Sequence, residues 1–318
     1  MPFLRLPSAL HRWPGRWLVL AGLTACTVAR QLPPPRPHES ACAPATLLAE
    51  PPGLRRLSAV ELAADTALAR ALPPALLAAA NAAGLVPRLR ALRRAAPGSA
   101  ARQVLAHQLR QHLARLTAVV QQTSVELRCE QDRTVALATE LQTAADAHRR
   151  RLLLLALGLS LTGLLSFPVL RPHIARAFFA QAPGISCLLV AAGAAWSGLQ
   201  APVPEASFAH PRNALSDVRH GPAVAAALPP TVWAFLTQPA GSNPATPSRQ
   251  VRLRERWRTV GRRLPGSHLT QLLYEQGGLY RPAELRVRAQ LLGELDAQVQ
   301  PLEAQLRALD PVVATAAE

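Results

Sequence analysis

The sequence predicts an all-α protein, in which a long coiled-coil-like helix runs into a two-helix transmembrane hairpin and a smaller helical C-terminal region follows. Three observations predict it. Between Arg151 and Arg171 lies an uncharged apolar run, residues 152–170, whose only hydroxyls are Ser160, Thr162 and Ser166. As an α-helix rising ~1.5 Å per residue it is ~28 Å long, close to the hydrocarbon thickness of a bilayer. Ahead of it, no Pro or Gly occurs between Ala100 and Ala156, and apolar residues recur there at an alternating four-three spacing, the signature of a heptad seam. Aromatic residues make up only 4% of the chain, which leaves packing to Leu, Val and Ala and suits helices over a β-sandwich.

The charge balance is strongly basic, 35 basic against 19 acidic residues for a formal net charge of +16. Every basic residue is Arg; Ile occurs only as Ile174 and Ile185, and Met only as Met1. A GC-rich genome is the plain explanation, because Lys, Ile and Met need AT-rich codons. The charge nonetheless favours anionic partners such as lipid headgroups. None of Cys26, Cys42, Cys129 and Cys187 forms a C-x-x-C pair, and their spacing matches no zinc site. Cys42 and Cys129 could pair only if both face an oxidising compartment.

Residues 1–26 carry Arg5, Arg12 and Arg16, no acid, and a short apolar core from Trp17 to Leu23. A basic segment, a short apolar core and small residues in that order describe an export signal. The tetrad Leu23-Thr24-Ala25-Cys26 resembles the lipobox of bacterial lipoproteins. In that family the cysteine is lipid-modified and becomes the new amino terminus, so the resemblance implies acylation at Cys26. The basic segment departs from the family pattern in its length and in Trp13 and Pro14.

Residues 27–53 are a Pro-rich linker. Residues 54–98 read as short Ala-rich helices: Ser58 with Glu61 has capping-box spacing, Pro73-Pro74 is a break, and Asn81 to Gly84 and Pro97-Gly98 are further punctuation. Residues 99–151 form the long heptad helix, with Leu109, Leu113, Leu116, Val120, Thr123, Leu127, Glu130, Thr134, Leu137 and Leu141 on its seam. The middle of that seam is polar. A buried Glu130 needs a partner, and Arg133, one turn along, is the expected one. The alternatives at Glu130 are a register-setting polar layer, a ligand site and a local salt bridge.

The hairpin is expected over 152–203, with spans at 152–170 and 185–203. The second span is weaker, rich in Ala and Gly, and Trp196 suits a membrane interface. Residues 204–247 are expected to be an irregular Pro-rich juxtamembrane segment, where His210, Arg212, Asn213, His220 and Trp233 form a candidate surface or ligand site. Residues 248–318 are expected to be C-terminal helices. The first is basic and amphipathic: Arg252 and Arg256 flank a stripe holding Trp257, which could lie in a lipid interface or pack on a core. The last begins near Pro282, a favoured first-turn residue. Its seam runs through Leu285, Leu292, Leu295, Val299, Leu302, Leu306 and Leu309, and Pro301 is expected to kink or split it. That seam could meet residues 99–148 or a copy of itself.

No P-loop, dinucleotide fingerprint, G-x-S-x-G or H-E-x-x-H motif is present, so no catalytic residue, metal ligand or cofactor is assigned. Neither expected span contains a charged residue, which argues against a transporter. A nucleic-acid reading would need cytoplasmic placement and is disfavoured. An exported amino end puts residues 27–151 outside the cytoplasm, but then Arg149, Arg150 and Arg151 lie outside, against the positive-inside tendency. The exported form is preferred because a signal acts before the later spans emerge. The sequence therefore points to a non-enzymatic, membrane-anchored helical scaffold or tether of a bacterial cell envelope, with the lipid bilayer and either itself or other helices as partners. The alternatives are an accessory subunit of a membrane transport or secretion complex, and an enzyme or ligand site in 204–247.

Overall fold

The computed structural model describes residues 42, 54–170, 189–193, 195–196, 203–210, 212–239, 245–263 and 267–316. The expected lipobox with Cys26, the linker apart from Cys42, and most of the second expected span lie outside them. Helices dominate. The chain divides into two compact units, one from Met1–Arg36 and Glu140–Pro204, the other from Pro37–Thr139 and Glu205–Glu318.

The larger unit opens with four short helices, α1 (Ala59–Ala63), α2 (Thr66–Ala71), α3 (Pro74–Ala82) and α4 (Val86–Arg94). Their boundaries follow local chemistry. Ser58 and Glu61 form a reciprocal capping box on α1, Asp65 caps α2, and Pro74 takes the first turn of α3, where its missing N–H has no helical partner to lose. Helix α5 (Ala100–Leu170) follows, and only its part up to Thr139 belongs to this unit. Strand β1 (Ala206–Ala209), helices α6 (Ala214–His220), α7 (Pro230–Thr237), α8 (Arg249–Arg263) and α9 (Ser267–Tyr274), strand β2 (Gly277–Tyr280) and helix α10 (Pro282–Thr315) complete it. The strands pair antiparallel, Ala206 opposite Tyr280 and Ala209 opposite Gly277. Gly277 has φ +97°, and a Cβ there would lie 2.2 Å from the Phe208 carbonyl oxygen, so the close approach of β1 demands glycine.

The core of this unit is an antiparallel pair made by α5 and α10. Contacts along it run in opposite chain directions: Arg102 donates to the Ala316 carbonyl, Gln121 to Glu303 at 2.9 Å, Arg128 to Asp296 at 2.9 Å, and Arg288 to Glu130. Both seams are inside. Leu109, Leu113, Leu116, Val120, Leu127 and Leu137 are buried on α5, and Leu285, Leu292, Leu295, Val299, Leu302, Leu306 and Leu309 on α10. The C-terminal seam thus meets the heptad helix of its own chain. At Gly293 a Cβ would come within 3.2 Å of the Gln131 side chain, so the missing side chain lets the helices close. Helices α3, α6, α7 and α8 pack on α10.

Several expectations are corrected. Residues 204–247, expected to be irregular, contain β1, α6 and α7; strands and helices this short carry too few residues for a period to show. Pro301 does not split α10, which runs through both Pro301 and Pro311. An interior proline costs ~3 kcal/mol, but Pro301 faces solvent while Leu302, Leu306 and Leu309 hold the same turns in the core.

In the smaller unit α5 remains helical to Leu170, and residues 189–193 are helical. No helix among the described residues is long and apolar enough to cross a membrane. The expected transmembrane hairpin is therefore without support at this level, and the all-α expectation stands only as a mostly helical chain with a long helix and a C-terminal helix. Apolar side chains are nonetheless turned outward here: Leu153, Leu154, Leu155, Leu157 and Leu161 on α5, then Leu189, Val190 and Trp196, are all exposed.

Candidate functional site

Polar groups gather where β1, the start of α6, the end of α9 and the first turns of α10 meet α5. The anchor is Arg288, fully buried on α10. It occupies the seam position between Leu285 and Leu292 where a leucine would continue the pattern. Its guanidinium donates to Glu130 on α5, to the Leu273 carbonyl at 3.1 Å and to Asn213 Oδ1 at 3.5 Å. Glu130 has a partner that the spacing did not suggest, Arg288 across the helix pair. Arg133 places its guanidinium 5.2 Å from the ring centre of Phe208 on β1, a cation–π contact.

Asn213 sits at the N-cap of α6, but its side chain does not cap that helix. Its amide donates to the carbonyls of Leu273 and Glu275, each at 2.9 Å, and so fastens the α9–β2 turn. Arg212 pairs with Glu126 on α5 at 3.2 Å and donates to the Ala227 carbonyl at 2.7 Å. Burial pushes the Glu126 carboxyl above its usual range; Arg212 opposes that shift and neighbouring Glu130 adds to it.

His210 follows β1 directly and is buried, its ring 6.2 Å from that of Phe208 and 6.1 Å from that of Tyr280, which lie 6.1 Å from each other, so the three form a triangle. Neither ring nitrogen makes a hydrogen bond. Burial, with the Arg288 charge, depresses its pKa to about 3, and the nearby Leu272 and Glu275 backbone opposes the shift without reaching bonding geometry. The ring is neutral at any ordinary pH. Tyr280 donates to the Leu272 carbonyl, and burial raises its hydroxyl to about 12.

The structure thus brings together three of the five residues expected in 204–247, namely His210, Arg212 and Asn213, and joins them to Glu130. The other two serve elsewhere. His220 is exposed and meets only Ser216 of its own helix among its hydrogen-bond partners here. Trp233 is buried and donates to the Pro222 carbonyl at 3.1 Å. That same loop is held by buried Asp217, which accepts from the backbone N–H groups of Ala226, Ala227 and Leu228. On α8, Arg252 and Arg256 are exposed, but Trp257 is only 2% exposed and donates to Glu294 of α10 at 3.1 Å. Of the two readings of α8, the core-packed one describes its apolar stripe, since Leu253 is buried beside it.

Sequence reasoning missed Glu126, Asp217, Arg288 and Tyr280. Arg288 had a readable signal: it is a charged gap in an otherwise apolar seam, as Glu130 is in the other, and two such gaps of opposite sign invite pairing. Chemically the cluster is mostly self-paired, with both His210 ring nitrogens and Arg288 Nε left without a hydrogen-bond partner. Its carboxylates are engaged by arginines, its asparagine by carbonyls, and no group of three or more potential metal ligands occurs among the described residues. The arrangement fits a polar layer that sets register better than a catalytic centre. Comparison with protein-family models, curated proteins and solved structures finds no match.

Proposed function

We propose that this chain is a non-enzymatic, membrane-anchored helical scaffold or tether of a bacterial cell envelope. The observation that carries the reading is the row of outward-facing leucines, Leu153, Leu154, Leu155, Leu157 and Leu161, in the helix that leaves the larger unit. Burying apolar surface is worth ~25 cal/mol per Å², and a row of leucines left in water forgoes it. A lipid environment restores it. Two further features support the reading: the uncharged run continues through Leu170, and the carboxylates, arginines and asparagine of the polar cluster pair chiefly with one another and with backbone carbonyls. In this reading the spans are 152–170 and 185–203, Cys26 carries a lipid, and the larger unit is the presented part.

The competing proposal, an accessory subunit of a membrane transport or secretion complex, uses the same outward leucines to pack against other spans. The test is extraction of membranes from cells making the full chain and its Cys26→Ala variant. Both should stay in the pellet through an alkaline carbonate wash and enter solution only with detergent. Release of either by the wash alone overturns the anchoring.

A further inference from the structure

Two independent observations bear on which side of the membrane the larger unit occupies. First, its two sequence segments lie on either side of residues 140–204, yet they make one core. Ion pairs and hydrogen bonds join residues before Glu140 to residues after Pro204: Arg212 with Glu126, Arg288 with Glu130, Arg128 with Asp296, Gln121 with Glu303, and Gln238 with the Ala78 carbonyl. Groups at hydrogen-bond distance cannot have a bilayer between them, so both segments share one face, and the chain between them leaves and returns on that face. Second, Cys42 and Cys129 form a disulfide, with Cα atoms 5.9 Å apart, inside the range such bonds require. Both cysteines are partly accessible, so a reducing compartment could reopen the bond, whereas an oxidising one preserves it.

From these we infer that residues 54–139 and 205–316 together lie on the extracytoplasmic, oxidising face, held to the segment at Cys42 by the Cys42–Cys129 bond. The inference rests on the membrane-anchored reading for the existence of two faces, and it adds the side. It also decides between the conflicting topology signals: the export signal is obeyed, and Arg149 to Arg151 lie outside despite their charge. Closing the bond removes two electrons and two protons from the two thiols. They pass to the disulfide of a thiol–disulfide oxidoreductase, which becomes a dithiol. The bond closes a loop with a sequence separation of 87 that carries α1 to α4 and the start of α5, and crosslinks of that kind stabilise small domains chiefly by restricting the unfolded chain.

The test uses the full chain in bacterial cells. Acid-quenched samples are denatured and treated with a polyethylene-glycol maleimide, with or without prior reduction. Reduction should expose two additional thiols, and none in the Cys42→Ser/Cys129→Ser double variant. In parallel, Ala114→Cys on α5 and Ala304→Cys on α10, both exposed positions, are probed on intact spheroplasts with a membrane-impermeant maleimide, and both should label. Free Cys42 and Cys129 thiols without reduction, or labelling of neither reporter, overturn the assignment of side. Labelling of one reporter alone overturns the shared face. The carbonate wash is read on the same cells: a chain retained in the pellet but unlabelled loses the side and keeps the anchor. One that is labelled at both positions but released loses the anchor and keeps the oxidising compartment.

Discussion

Along the helix pair of α5 and α10, the stretch near Leu109, Leu116, Leu306 and Leu309 is closed by leucine against leucine, whereas the stretch near Glu130, Arg288, Arg128 and Asp296 is closed by charge. The two stretches do different work. Leucine seams supply most of the burial energy but tolerate a slip of one turn, because another leucine arrives in the vacated place. The charged stretch tolerates no slip: moving α10 by a turn strands fully buried Arg288 away from Glu130. A buried pair adds little net stability over an apolar pair, but an orphaned buried charge is expensive. The leucines therefore hold the helices together, and the charges say where they stop.

The largest test of that division removes one charge. Arg288→Leu leaves Glu130 without its partner and should lower unfolding stability by ~3–5 kcal/mol, while the double variant Glu130→Leu/Arg288→Leu should recover most of the loss. Denaturant unfolding of the full chain in detergent, followed by helical circular dichroism, reads both. A double variant no more stable than the single would remove the pairing as the reason. At the leucine stretch, Leu116→Ala should cost ~2–5 kcal/mol through the cavity it opens. No second-site change of a charge should rescue it.

Acid sharpens the contrast. His210 binds fewer protons folded than unfolded, because its pKa falls from the usual 6.5 to about 3. Its contribution is complete above the unfolded value and is lost as pH falls from there toward the folded value. His112, on the leucine stretch between Leu109 and Leu116, shifts the same way, led by burial with Arg88 and Arg115 adding, so its acid loss falls on that stretch. The polar stretch should weaken by a few kcal/mol between about pH 6 and pH 4, and His210→Leu should flatten most of that slope. An unchanged slope in the variant assigns the acid sensitivity elsewhere. The smallest effect is expected at Arg128, whose side chain is 55% exposed and whose partner, buried Asp296, keeps the Gln300 amide as a donor at 2.7 Å when Arg128 is removed. Arg128→Ala should cost ~1 kcal/mol or less and lose its effect in salt.

Much of the helix pair was legible in the residues. The four-three spacing of α5 and the leucines from Leu285 to Leu309 each name a buried face, because a face repeated over several turns outweighs local preference. The cap at Ser58 and the helix start at Pro282 were legible too, since they depend on one or two neighbours only. What the spacing withheld was the partner of each seam: an apolar face reads the same whether it meets its own chain or another. The short elements between Ala206 and Tyr280 were hidden for the opposite reason, having too few residues for any period. Of the polar junction, His210, Arg212, Asn213 and Glu130 stood out as polar residues in costly places. The pairing of Glu130 with Arg288 joins positions more than a hundred residues apart in the chain, which no local pattern encodes.

The account stands on α5 and α10 pairing within one chain in the register set by Glu130 and Arg288. Gln121 and Glu303 face each other at 2.9 Å, so a Gln121→Cys/Glu303→Cys variant, made in a background where Cys42 and Cys129 are Ser, measures it directly. Under mild oxidation the variant should form an internal crosslink that speeds its migration on a non-reducing gel, at every protein concentration. A crosslink that appears only between two chains would contradict it.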